Sequence, residues 1–120
     1  MKRALKYSFI CVYTFTSFFL RAQNPIVDSL NALIKTTKND TTKLRLLVQL
    51  SEECDLSEIL NYAEPAAKLA NELLSKTSNK ELKIKLLSQK SKAVNNIGFV
   101  YHNLGDIIKA LNYYNQSLKI

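Results

Sequence analysis

An all-α fold is expected for this chain, on three observations. Apolar residues recur at steps of three and four from Pro25 to Ile120, the period of one helix face. The 120 residues include only two glycines and two prolines, so breakers are scarce. No alternating run reads as a strand. Short polar interruptions separate the periodic segments, which predicts consecutive helices folded back on one another.

Met1 to Ala22 comes first and has the layout of an export signal. Lys2, Arg3 and Lys6 precede an uncharged run from Tyr7 to Leu20, which is shorter than the roughly 20 residues a spanning helix needs. Small Ala22 permits cleavage before Gln23, while bulky Phe18, Phe19 and Leu20 support the competing reading of an uncleaved anchor. Cys11 follows Ile10, not the small residue a lipoprotein signal requires.

Asn24 and Pro25 open the first helix, as cap and first helical residue. Ile26, Leu30, Leu33 and Ile34 are its expected apolar face. The polar stretch Thr36 to Thr42 breaks it, and Asp40 or Thr41 starts the second helix. Leu44, Leu47, Val48 and Ser51 make one stripe there and Leu46, Leu50 and Cys54 another, so this helix is expected to be covered on two sides. Asp55 and Glu58 are spaced as a capping box for a third helix. Its face of Ile59, Tyr62, Ala63, Ala66, Ala67 and Ala70 permits close packing. Pro65 should kink that helix without ending it. Thr77 to Asn79 ends it, and an uninterrupted pattern from Lys80 to Leu104 predicts the longest helix of the chain.

Within that helix Val94, Ile97, Tyr101 and Leu104 share a face, and after the turn Leu104-Gly105-Asp106 so do Ile107, Leu111, Tyr114 and Leu118. Gly105 suits a left-handed helix end and Asp106 a cap. Gly98 lies inside the first of these helices at a cost of about 1 kcal/mol against Ala, which makes sense if the partner helix approaches closely near Ala110. Small Gly98, aromatic Tyr101, small Ala110 and aromatic Tyr114 resemble the tetratricopeptide repeat (TPR), a helical hairpin of about 34 residues. The resemblance is clear over 91–120 and degenerate over about 43–76. Ser117 departs from the family's alanine, Leu47 from its small residue, and no closing proline is reached. It implies a superhelix of antiparallel hairpins in a domain spanning 23–120, with Gly98, Tyr101, Gly105, Ala110 and Tyr114 as structural positions.

Charge argues against nucleic acid as a partner. The chain's net charge is +7, but the leader holds four of its 17 lysines and arginines and none of its 10 acids, leaving +3 for 23–120. The basic run of Lys76, Lys80, Lys83, Lys85, Lys90 and Lys92 contains no aromatic residue and reads as a solvated helix face. Cys54, the only cysteine after cleavage, reads as a small buried side chain. No glycine-rich phosphate loop, HExxH or nucleophile elbow is present, so neither an enzyme nor a cofactor is expected. His102 has no second ligand at metal spacing.

Lys92, Asn95, Phe99 and His102 recur along one face of the long helix, roughly 160° from its apolar stripe. The TPR resemblance puts these positions on a concave groove and implies an exported, periplasmic or extracellular module that binds a protein or peptide. In that groove Lys92 would attract a carboxylate, Asn95 would bond a peptide backbone and Phe99 would offer an apolar contact. The competing reading packs Phe99 and His102 on a neighbouring helix. A second implication is the sensory amino-terminal part of a bacterial membrane signalling protein, a histidine kinase or transcription regulator, with its output domain further downstream. Membrane contact would come only through an uncleaved leader or such a downstream segment. Because Ile108, Tyr113 and Ile120 fall outside the last helix's stripe, cover from further chain or self-association is also expected.

Overall fold

A computed structural model describes residues 24–120, so the leader and its cleavage point lie outside the described residues. Five helices follow one another: α1 (Pro25–Thr36), α2 (Asp40–Glu53), α3 (Ile59–Lys76), α4 (Lys80–Asn103) and α5 (Ile107–Lys119). The described residues contain no strand, and the all-α expectation holds.

Local chemistry explains most boundaries. The Asn24 side chain accepts from the backbone N–H groups of Ile26 and Val27 at 3.2 and 3.3 Å, with Pro25 following. Asn39 and Asn79 cap α2 and α4 through Thr42 N and Leu82 N, each at 3.1 Å. Asp106 caps α5 through Lys109 N at 3.1 Å. The expected capping box at Asp55 does not form. Leu56–Glu58 instead winds into a 3₁₀ turn, with Glu58 N donating to Asp55 O at 2.9 Å and no side-chain cap. The backbone thus satisfies a donor that the sequence spacing assigned to a carboxylate. Helix α3 continues through Pro65.

The α4–α5 turn closes as a Schellman motif. Asp106 N reaches Tyr101 O at 3.0 Å and Gly105 N reaches His102 O at 3.1 Å, with Gly105 at φ +83°. A Cβ built on Gly105 meets nothing within 4 Å, so only backbone strain opposes a side chain there. Gly105→Ala should therefore cost about 1 kcal/mol and Gly105→Asn less, as measured by urea unfolding.

Packing pairs each helix with the next, antiparallel. Leu46 and Leu50 of α2 meet Leu30 of α1, while Leu44, Leu47 and Val48 meet Ala66 and Ala70 of α3 and Leu86 and Ala93 of α4. These are the two covered sides expected of α2. A second core joins Ile59 and Ala63 to Ile97 and Val100, closing α3 on α4. Alanines at 63, 66, 70 and 93, each 0 % exposed, let the backbones approach.

Three expected apolar faces are corrected. In α1 the inward residues are Val27, Leu30 and Ile34, whereas Ile26 and Leu33 are about half exposed. In α4 the stripe fails at Leu104, which is 69 % exposed. In α5 the stripe is turned: Ile107, Leu111 and Leu118 face outward, and Ala110, Tyr113, Tyr114 and Ser117 face α4. Polar and aromatic bonding outweighs aliphatic burial here. Tyr113 stacks on Tyr101 with ring centroids 5.5 Å apart, and the Lys109 ammonium lies 4.1 Å from the Tyr101 centroid. Ser117 and Ser91 exchange hydroxyl-to-carbonyl bonds at 3.0 and 3.1 Å, a tie that alanine at 117 would lack. Gly98 does admit a close approach. Its nearest neighbours, however, are the Tyr114 ring and Tyr113 Cβ, one turn beyond Ala110.

Candidate functional site

Helix α4 is the natural platform for a site because its 24 residues touch neighbours along one arc and leave the opposite arc free. Leu86, Ala93, Val94, Ile97, Gly98 and Val100 are buried, and Lys92, Asn95, Phe99 and His102 are exposed. Neither Phe99 nor His102 is a buried core residue between α4 and a neighbouring helix. Phe99 is 47 % exposed, an aromatic ring among polar groups on a rigid element. Its backbone carbonyl accepts from Asn103 Nδ2 at 2.8 Å, which ties the last turn of the helix.

The other wall comes from α2. Asn96 Nδ2 donates to Ser51 Oγ at 2.8 Å, and Ser51 donates to Val48 O at 2.6 Å, so the buried hydroxyl is satisfied both ways. Near the opposite ends of the same helices, Thr41 and Arg45 of α2 line a groove of about 350 Å³ with Lys85 and Gln89 of α4. The two links mean that α2 and α4 lie side by side and parallel. From the sequence Thr41 reads only as a helix start and Lys85 only as part of a solvated basic run, and Arg45 and Gln89 carry no expectation. The steps from Thr41 to Arg45 to Gln49 to Glu52 repeat at helical spacing and were the available signal.

The lysines of α4 do not form one stripe. Lys85 and Lys92 are seven residues apart and share the free face. Lys83 and Lys90 make a second such pair, about 200° around the axis from the first. Lys85 is also paired to Glu81 at 3.1 Å. This arrangement suits a point contact with a carboxylate better than a track for phosphates.

Cys54 lies at the end of α2, half-buried against the Ile59 cluster, and is not the fully buried side chain expected. Burial, then the nearby Glu58 carboxylate, raises its thiol pKa above the ordinary value, only partly offset by a backbone hydrogen bond. The thiolate is the alkylating species. Iodoacetamide at pH 8 should therefore modify Cys54 more slowly in the folded chain than in urea, as read by peptide mass spectrometry. Because the folded thiol holds its proton more tightly, its contribution to stability falls as pH rises past the unfolded thiol's pKa.

Among the described residues no group of three or more His, Cys, Asp or Glu side chains is arranged to hold a metal, and no helix is long and apolar enough to cross a membrane. No family model matches the chain, and no curated protein or solved structure matches it either.

Proposed function

We propose that this chain is an exported interaction module of tetratricopeptide-repeat type that binds a protein or peptide along the free face of α4 and the groove shared with α2. The observation that carries the proposal is Phe99, held half-exposed between Asn95 and His102 on a helix whose opposite side is buried at Val94 and Ile97. An exposed aromatic on a rigid platform offers contact area at low entropic cost. Lys92, about two turns away, and Lys85 and Arg45 beyond it supply charge for a carboxylate. The parallel pairing of α2 and α4 supports the repeat reading. Ser51 and Asn96, which face each other, are 45 residues apart, against about 34 in a tight repeat. The surplus lengthens α4, which begins at Lys80, well before the repeat-like segment at Ser91.

The test is selection of peptides from a random displayed library on the purified protein, followed by titration against variants. Selected peptides should carry an acidic group and an apolar side chain. Phe99→Ala should weaken them about tenfold, or ~1.4 kcal/mol, and Lys92→Ala should weaken them in a salt-dependent way, with helicity unchanged by circular dichroism. Peptides that bind equally well to both variants would remove α4 as the site. Export is checked separately by fusing residues 1–30 to a phosphatase that is active only outside the cytoplasm.

A further inference from the structure

The antiparallel helices sort this protein's charges by end. The start of α1, the end of α2, the 3₁₀ turn, the end of α4 and the start of α5 share one end, tied by Asn24 Nδ2 donating to Glu53 O at 3.0 Å. Asp28, Glu52, Glu53, Asp55, Glu58 and Asp106 all lie exposed there, with Lys109 as the accompanying cation. At the opposite end Lys35, Lys38, Lys43, Lys76, Lys80 and Lys83 lie exposed, against Asp40, Glu72 and Glu81.

Helix stability accounts for only part of this sorting: Asp28, Glu58 and Asp106 lie at helix starts and Lys35 and Lys76 in last turns, where the dipole favours them. Glu52 and Glu53 occupy the last turn of α2, where the helix dipole favours cations. Lys43, Lys80 and Lys83 occupy first turns, where it favours anions. Internal pairing does not account for the rest, since the ion pair formed among the described residues is Glu81 to Lys85. The charges that stand against the local dipole, Glu52, Glu53, Lys43, Lys80 and Lys83, are exposed and form no ion pair among the described residues.

Each charged end also has an apolar feature. At the acidic end Leu56, Leu60, Val100 and Leu104 line a notch of about 560 Å³ with Asp55 on its rim. At the basic end α5 covers only the second half of α4, because Ser117 already faces Ser91. The first half of α4 overhangs, and Ile84 projects from it 68 % exposed, flanked in sequence by Lys83 and Lys85.

We propose that the two ends are complementary and that the chain associates head to tail. The lysine-flanked Ile84 overhang of one copy docks on the acid-rimmed Leu56/Leu104 notch of the next. The contact joins unlike surfaces, so each added copy leaves one end of each kind open and the assembly grows. It uses the ends of the helices and needs no bound peptide, and the two surfaces share Lys85, which flanks Ile84 and also lines the groove with α2.

Sedimentation velocity of the purified protein tests it. At about 0.05 M salt the average mass should rise with concentration, and at about 0.5 M it should fall back toward the monomer as screening shortens the reach of the charges. Two variants then separate the ends: Lys80→Glu with Lys83→Glu, and Asp55→Lys with Glu58→Lys. All four positions are exposed, and circular dichroism checks that the fold is kept. Each variant alone should stay monomeric. Mixed in equal amounts they should associate again, because the intact end of each meets the intact end of the other and the two reversed ends are once more of opposite charge. A wild-type chain that is monomeric at low salt overturns the proposal. So does association that persists in both variants, or that is abolished instead by Ile108→Lys with Leu118→Lys on the outer face of α5.

Discussion

Leu50→Ala is expected to remove about 2–5 kcal/mol of stability, the largest effect of any single truncation considered. Leu50 is 0 % exposed and sits where α1 meets α2, against Leu30 and Leu46 with Val27, Ile34 and Tyr62 around them. Truncation removes the transfer free energy of the buried methyl groups and leaves a cavity that rigid helix neighbours close only in part. A domain of this size has a total stability of about 5–15 kcal/mol, so the loss is a large share of it. Leu118→Ala is the control, since Leu118 is 84 % exposed and its loss should be near zero. Urea unfolding of the two variants decides the matter. Equal midpoints would mean that the α1–α2 core is not formed.

Gly98→Leu should destabilise by about 1–3 kcal/mol through overpacking, even though leucine is the better helix former. A Cβ at 98 would already stand 2.9 Å from two ring atoms of Tyr114 and 3.2 Å from Tyr113 Cβ. The ring can swing aside, but Tyr113 Cβ is fixed to the backbone of α5, so the helices must separate. Separation would also disturb the Tyr101–Tyr113 stack and the Ser91–Ser117 bonds. Adding Tyr114→Ala should restore part of the loss. A raised melting temperature for Gly98→Leu alone would contradict the close approach.

The candidate site was legible in part. Lys92, Asn95, Phe99 and His102 could be assigned to one face because helical spacing alone decides what shares a face, and that face is free. Their neighbours across the groove, Thr41 and Arg45, come from a helix more than forty residues earlier. Nothing in the local spacing of α2 says which helix its polar edge will lie beside. The parallel alignment of α2 and α4 depends on the Asn96–Ser51 bond and on the alanines of α3 that let both helices approach.

Helix class, number and most boundaries followed from sequence by itself, because caps, breakers and period are local. Asn24, Gly105 and Asp106 act where their own chemistry requires, through backbone groups within a few residues. Tertiary structure decided which side of a helix is inside when more than one side is apolar. Helix α5 offered Ile107, Leu111 and Leu118 on one side and Ala110, Tyr113 and Ser117 on another, and sequence favoured the aliphatic side. The side that packs is the one whose small and flat groups fit against Gly98, Tyr101 and Ser91. Hydrophobic burial is roughly proportional to area and carries no direction. Close contact between two helices depends on shape and on hydrogen bonds that exist only once both surfaces are present.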